Sequence, residues 1–424
     1  MIQLPSRNIS LMSSHKVSNE LHHKLLPGFL SYENNISQVP KETDVLIVGG
    51  GLLGTSLAYY LAKEKQEVVL VDRGEINREA SGTNAGSFHF QIGLHQLTPK
   101  MTESEKRRLT SEVKLQVEAA ELWDSLEKEL NADLGIHFNG GFMVAETKEE
   151  LDVLYQKQEI EMAAGLESHV LTGSEMHTAA PLFADDLSGV AFCPREGHAN
   201  PLIVGPIYAL RAQENGAQIR TYCEVKSVEL LEKSLTSAFR FRVTTSKGTI
   251  LCNRIVNAAG AWTAELAKHL DFNLKMGLSG LHVNVTEPYE YVLPSMVQHI
   301  GRRLTLKQTT NNTFIIGGGW PSKPENYPKR YSNYWSSTAG NLAVAQRVLP
   351  LLKDVKLVRV WSGVWAFTHD FKPILGESKR IPGYHIAMVP TGFTLGPMVS
   401  HMLAEYMCGR SEKSIIPEEF SVDR

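Results

Sequence analysis

The sequence predicts an α/β fold in which a mainly parallel sheet of the βαβ kind is joined to a region of antiparallel sheet. Three observations carry the prediction. A strand, a glycine turn, a helix and a second strand follow one another over residues 45–72. Short runs alternating apolar and polar residues fill 276–357, as in half-buried antiparallel strands. A strand, a Gly-rich turn and a helix recur over 384–408.

The opening unit is the most specific. Val45 to Val48 form a continuous apolar run, the pattern of a buried parallel strand, and Leu57, Ala58 and Leu61 mark the inner face of the helix that follows. Between them lies Gly49-x-Gly51-x-x-Gly54. Its first glycine permits the turn, its second lets backbone approach a pyrophosphate at the helix N-terminus, and its third lets helix and strand pack closely. Asp72 ends the second strand, where a carboxylate can accept hydrogen bonds from ribose hydroxyls. The unit therefore predicts a dinucleotide site.

The loop 78–89 that follows is polar and Gly-rich, long enough to wrap a ligand. Residues 102–130 place Leu109, Val113, Val117, Ala120, Trp123, Leu126 and Leu130 at helical spacing. From 131 to 190 the pattern shifts to a strand at 142–145 and a helix at 148–164, part of a second domain. A helix at 201–215 and strands within 218–228, 240–245 and 249–256 return to the nucleotide sheet, ending in the small-residue turn Ala258-Ala259-Gly260-Ala261-Trp262. The C-terminal strand 384–389 leads through Thr391-Gly392-Phe393-Thr394-Leu395-Gly396 into a helix at 398–408.

At 424 residues the chain can bury a large core. Its 43 basic and 46 acidic residues give a net charge of −3, which speaks against nucleic acid or an anionic membrane surface as partner. Cys193, Cys223, Cys252 and Cys408 form no CxxC pair and suit neither a zinc knuckle nor an iron–sulfur loop. Few cysteines fit a reducing compartment, so a cytoplasmic location is expected, with no metal and no transmembrane segment. Residues 1–42 lack a sustained apolar period, and Pro27 and Gly28 interrupt their one apolar cluster; they are expected to form a flexible extension.

Four separated signatures make the chain resemble the FAD-dependent oxidoreductases of the D-amino-acid oxidase, glycine oxidase and sarcosine oxidase class. They are the glycine turn with Asp72, the loop Arg78-x-x-Ser81-x-x-Asn84-x-Gly86, the turn Ala259-Gly260-Ala261-Trp262, and the turn from Gly392 to Gly396. The resemblance implies an FAD domain assembled from 43–130, 191–275 and 358–424, with a substrate domain from 131–190 and 276–357 inserted as α+β structure on an antiparallel sheet. It implies FAD contacts from Gly49, Gly51, Leu52, Leu53, Gly54, Asp72 and Arg73. Further contacts are implied for Ser81, Asn84, Ala85, Gly86, Ser87, Val225, Ala259, Gly260, Trp262, Gly363, Gly392, Phe393, Thr394 and Leu395.

Within the class, glycine-oxidase-like chains carry carboxylate-gripping arginines near the positions of Trp365 and Thr394, and both are absent here. The strings 303–308 and 316–321 look instead like the FAD-bearing β subunits of hetero-oligomeric dehydrogenases, a group that includes hydrogen cyanide synthase, opine oxidase and proline or D-hydroxyproline dehydrogenases. Partner subunits with FAD, FMN or iron–sulfur centres are the corollary. Where monomeric sarcosine oxidases attach FAD through a cysteine, this chain has the glycines 317–319, so the FAD is expected to be non-covalent.

The implied reaction oxidises the C–N bond of a small amino or imino acid, of glycine, proline, hydroxyproline or opine type. The flavin carries the difficult chemistry, while the protein orients a neutral amine and excludes water. His89, Lys307 and His369 are the candidate catalytic residues, with His198 as a further histidine at a domain crossover. A substrate carboxylate wants an arginine fork or a lysine, which nominates Arg302, Arg303, Lys307 and Arg359. On an alternating strand, Lys307 and Gln308 should face opposite ways, one inward and one outward. Trp320, Trp361 and Trp365 could wall the pocket. The rival functions are a self-sufficient oxidase that makes hydrogen peroxide and an FAD-holding subunit without catalysis. An NAD-dependent dehydrogenase would explain residues 43–72 but not the two later turns.

Overall fold

A computed structural model describes residues 38–93, 96–97, 101–232, 239–326, 329–410 and 416–424. Most of the expected extension, residues 1–37, lies outside the described residues. The chain opens with β1 (Glu42–Val48), α1 (Leu52–Lys63) and β2 (Val68–Val71), with β1 and β2 parallel in the register Val45↔Val68 to Val48↔Val71. Both strands are buried on both faces, which is why their sequence is a continuous apolar run and does not alternate. α1 is buried nearly all round, beyond the single inner face expected from Leu57, Ala58 and Leu61. Two later helices close over it, and the Tyr60 hydroxyl lies 3.1 Å from that of Tyr208 on one of them.

The next elements are α2 (Ala80–Thr83) and α3 (Glu103–Leu130). α3 starts on a capping box: the Thr102 side chain accepts from the Glu105 amide while the Glu105 carboxylate reaches back to the Thr102 backbone. Its buried stripe is Leu109, Val113, Ala119, Ala120, Trp123, Leu126 and Leu130. β3 (Gly141–Ala145), α4 (Lys148–Ala164), β4 (His169–Leu171), α5 (Gly173–Ala179) and β5 (Gly189–Cys193) follow. α6 (Pro201–Glu214), β6 (Gln218–Arg220), β7 (Val225–Leu230), β8 (Phe241–Thr245), β9 (Gly248–Asn257) and the short α7 (Thr263–Ala267) bring the chain back to β1.

The chain continues through β10 (Met276–Pro288), β11 (Met296–His299), β12 (Thr305–Gln308), β13 (Thr313–Gly317), the small hairpin β14 (Lys323–Pro324) and β15 (Tyr331–Ser332), and α8 (Trp335–Val348). It ends with β16 (Leu357–Thr368), β17 (Ile374–Glu377), β18 (Tyr384–Met388) and α9 (Gly396–Met407). The first sheet runs β17-β18-β9-β1-β2-β6, with β7 and β8 continuing antiparallel from β9. Its centre is parallel: β18 on β9, β9 on β1, β1 on β2 and β2 on β6. The second sheet runs β16-β10-β13-β12-β11-β3-β5-β4 and is antiparallel except for the β11–β3 pair.

Two expected boundaries fall at strands of the second sheet. The break at 190/191 cuts β5, which pairs with β3. The break at 357/358 falls at the start of β16, which pairs with β10 from Leu357↔Thr286 to Thr368↔Met276. The resemblance alone places 358–368 with the nucleotide region; its backbone partner is chosen by tertiary pairing. Lys307 and Gln308 also depart from the one-in, one-out expectation, since both are buried, at 3% and 1% exposure. The sheet is covered on both faces at that point, and Gln308 satisfies its amide on the backbone of Tyr289, Glu290, Val292 and Leu293. Among the described residues no helix is long and apolar enough to cross a membrane.

Candidate active site

A cavity of about 1400 Å³ lies where the C-terminal ends of β1, β2, β9 and β18 meet the second sheet. Ligands of open α/β sheets bind at such strand ends. The glycine turn forms part of its wall, and Gly49 and Gly54 each have a steric cause. A Cβ on Gly49 (φ +118°) would stand 2.3 Å from the Ala258 carbonyl oxygen, and one on Gly54 would stand 1.9 Å from that of Gly49. Gly51 differs. Its missing Cβ would meet only the Ser81 hydroxyl, at 3.0 Å, so the position is bare toward the cavity. The Ser81 hydroxyl accepts from the Leu52 amide at 2.9 Å, fixing the loop to the first turn of α1.

Asp72 accepts from the Gly50 amide at 2.6 Å and from the Gly74 amide at 2.7 Å. Burial raises its carboxyl above the ordinary range, against the lowering effect of those two bonds. The Arg73 guanidinium stacks on the Trp262 ring at 3.7 Å. Asn84 holds the loop shape, accepting from the Gly86 amide at 2.7 Å and donating to the Ser81 carbonyl at 2.7 Å. Gly86, at φ +72°, packs where a Cβ would lie 2.3 Å from the Ala199 carbonyl oxygen. The Ser87 hydroxyl is buried in the cavity wall with no partner among the described residues, a donor suited to a bound ligand.

Cavity-lining residues among the sequence candidates are Gly49, Gly51, Leu52, Leu53, Asp72, Arg73, Ser81, Asn84, Ala85, Gly86, Ser87 and His89. From later in the chain come Val225, Ala259, Gly260, Trp262, Arg302, Arg303, Gly363, Trp365, His369, Gly392, Phe393 and Thr394. Gly54, Leu395, Lys307, His198, Arg359, Trp320 and Trp361 stand behind the wall or away from it. A bare glycine at a helix N-terminus and a carboxylate at the second strand end, lining the same cavity as the orphaned Ser87 hydroxyl, fit the pyrophosphate and ribose of a dinucleotide.

Beyond the glycine turn, side chains of residues 87–92 point alternately into the core and the cavity. Phe88, Phe90 and Ile92 are fully buried in the core, while Ser87, His89 and Gln91 line the cavity. The His89 backbone amide donates to the Thr394 hydroxyl at 3.1 Å, and the Trp123 indole donates to the Thr394 carbonyl at 2.8 Å, so the C-terminal turn is anchored from two sides. Trp365 donates to the Pro390 carbonyl at 2.9 Å and Trp361 to that of Thr83 at 2.8 Å. Trp320 donates to the Arg303 carbonyl at 2.6 Å. All three indoles tie chain segments together, and only Trp365 faces the cavity.

Lys307 is buried against the loop: a Cβ on Gly86 would lie 3.3 Å from its Nζ. Burial alone pulls its pKa down to about 7. The same burial, with Lys307 nearby, holds His198 well below the ordinary histidine range. Arg302 pairs with Glu146 at 2.7 Å, whereas Arg303 donates one of its five N–H groups to the Gly319 carbonyl at 3.0 Å. Arg359 lies over the Trp361 ring, 5.8 Å from its centroid.

Sequence reasoning missed Gln298 and Glu196. His89 Nδ1 lies 2.9 Å from Gln298 Oε1, and Gln298 Nε2 donates to both oxygens of the fully buried Glu196, at 3.1 and 2.9 Å. The alternation Phe88-His89-Phe90-Gln91-Ile92 is the signal that could have placed His89 and Gln91 on one face. Nothing local marks Gln298 or Glu196.

Residues 44–406 match the model of the FAD-dependent oxidoreductase family. The chain is 27% identical over 388 residues to the mitochondrial pyruvate dehydrogenase phosphatase regulatory subunit of Mus musculus, covering 87% of this chain and 42% of that one. It is 26% identical over 367 residues to one of the opine oxidase subunits of Rhizobium meliloti, covering 84% and 90%. The crystal structure of L-proline dehydrogenase from P. horikoshii shares the fold, with a TM-score of 0.78, 22% identity, and coverage of 91% and 98%. This chain spans only 41–42% of the length of the first curated relatives.

Proposed function

This chain belongs to the FAD-dependent oxidoreductase family, and from that premise we propose that it oxidises the C–N bond of a small amino or imino acid, of glycine, proline, hydroxyproline or opine type, as the catalytic subunit of a hetero-oligomeric dehydrogenase. One observation carries the proposal: the cavity that opens on the glycine turn and Asp72 continues without a break to His89, Trp365 and Arg303. The names of relatives that act on an opine and on proline support the substrate class, and a relative named as a subunit of its enzyme supports the partner.

Gly51, Leu52 and Ser87 would hold the pyrophosphate of FAD, Asp72 its ribose, and Arg73 with Trp262 would flank the adenosine end. The glycines at 317–319 line the same cavity and offer no thiol for covalent attachment. When bound, FAD supplies the hydride acceptor. His89 would accept a hydrogen bond or proton from the substrate amine, favouring the neutral amine that can lose hydride. Arg303 would take the substrate carboxylate through its remaining N–H groups. Trp365 and Phe393 would shield the reacting carbon from water. The buried Lys307, with a pKa of about 7, can bring positive charge behind the Gly86 loop as electrons arrive in the site.

The test is anaerobic addition of glycine, sarcosine, proline, hydroxyproline or an opine to the FAD-loaded chain. Loss of the oxidised-flavin absorbance with at least one of them is expected, with poor turnover on oxygen and brisk reduction of an artificial dye. Rapid peroxide formation by the chain alone would refute the subunit role. A second reading has its own observation, because one relative is named a regulatory subunit and the arginines expected near Trp365 and Thr394 are absent. That reading, an FAD-holding subunit without catalysis, predicts tight FAD binding with no bleaching by any of these amines.

A further inference from the structure

We propose that Glu196 is a positioning residue that, through the amide of Gln298, fixes His89 as its Nδ1–H tautomer and makes Nε2 the lone-pair nitrogen of the ring. An ionised carboxylate only accepts hydrogen bonds. Both Glu196 oxygens lie within 3.1 Å of Gln298 Nε2, so the amide must turn its NH2 toward Glu196. Its carbonyl oxygen is then left facing His89 Nδ1 at 2.9 Å. A carbonyl only accepts, so Nδ1 must carry the proton.

Glu196 is itself held in one place. It accepts from the Gln91 amide at 3.1 Å, and it sits so close to β3 that a Cβ on Gly141 would fall 2.2 Å from its Oε2. The groups around it are Lys157 and Glu161 of α4 and Cys193 at the end of β5. Lys157 and Glu161 form a fully buried ion pair at 2.7 Å, and Lys157 also donates to Gln91 Oε1 at 2.6 Å. Gln91 thereby links the pair to the Glu196 site, while its NH2 donates to the Gly141 carbonyl at 3.3 Å. This network lies directly behind the alternating segment that presents His89 to the cavity. Such a buried polar cluster is costly unless each member is satisfied, and its placement gives it a use: a fixed amide orientation. Burial lifts the Glu196 carboxyl to about 7, so above neutrality it is an ionised acceptor for the Gln298 NH2.

The consequence for catalysis rests on the function proposed above, since an Nε2 lone pair can accept from a substrate amine where an Nε2–H could not. The tautomer itself does not rest on it, and its test needs no substrate. The FAD-loaded protein is labelled with 15N and 13C in histidine, the His89 resonances are assigned by their loss in His89→Asn, and the ring nitrogen shifts and ring couplings are read at pH 8.5. The native chain should show the Nδ1–H pattern. Glu196→Met and Gln298→Met should each convert a large fraction of His89 to Nε2–H. Glu196→Gln, which retains a carbonyl for the Gln298 NH2, should stay close to native. Should Glu196→Met fail to fold, Gln298→Met and the native spectrum still decide. An Nε2–H native ring, or an unchanged Nδ1–H ring in Gln298→Met, would overturn the proposal whether or not any amine reduces the flavin.

Discussion

Replacing Lys307 by methionine keeps the length and apolar body of the side chain and removes its charge. In the native fold Lys307 is 3% exposed, and burial alone takes its pKa from an ordinary 10.5 to about 7. Below pH 7 the amine is charged in the folded and unfolded chains alike, and the folded chain bears the whole desolvation cost, about 5 kcal/mol at ~1.4 kcal/mol per pH decade. Between pH 7 and 10.5 the folded chain releases its proton before the unfolded chain does, and the cost fades. The native protein should therefore gain stability relative to Lys307→Met as pH rises through that window. With an unfolding entropy of ~2.1 cal/mol/K per residue, 1 kcal/mol corresponds to about 1 °C for a chain of this length. Thermal unfolding of both proteins from pH 6 to pH 10 should show Lys307→Met melting higher at pH 6, with the gap narrowing by about 4 °C toward pH 10. A gap that stays constant would show that Lys307 keeps its charge in the fold and that burial does not lower its pKa.

Four further substitutions test the site. Gly51→Val should fold, because only the Ser81 hydroxyl must give way, yet lose FAD by ~100-fold or more, read by flavin fluorescence titration. Gly54→Ala, with its Cβ 1.9 Å from the Gly49 carbonyl oxygen, should instead lower the melting temperature of the protein. Arg303→Ala should raise KM for an amino-acid substrate ~10- to 100-fold with a smaller change in kcat, measured by steady-state dye reduction; an unchanged KM would remove Arg303 as the carboxylate anchor. Glu196 titrates in the sense opposite to Lys307. Its folded pKa of about 7 lies above the ordinary 4.5, so its contribution is full below pH 4.5 and is lost as pH rises through 7, by roughly 3 kcal/mol. Glu196→Gln should abolish that fall, and calorimetric melting at pH 5 and pH 8 checks it.

The features that rest on local periodicity and on glycine were legible in the sequence. Val45 to Val48, the turn Gly49 to Gly54 and Asp72 could be read because a buried parallel strand must be apolar throughout and because a close backbone approach excludes any Cβ. The helix from Glu103 was legible for a similar reason, since Leu109, Val113, Ala120, Trp123, Leu126 and Leu130 recur at helical spacing and are its buried stripe. The partner of β16 was not, because nothing local in 357–368 says which sheet the segment joins, and only its long ladder with β10 assigns it to the second. Nor was the site behind His89. Glu196 and Gln298 are 102 residues apart and carry no local signature. They meet because β3 pairs with both β5 and β11, which brings the loop after β5 beside the strand that bears Gln298. Periodicity determines which face a residue occupies. The choice among distant faces that could meet is made by strand pairing and core packing, and the chemistry around His89 and Lys307 is set at that level.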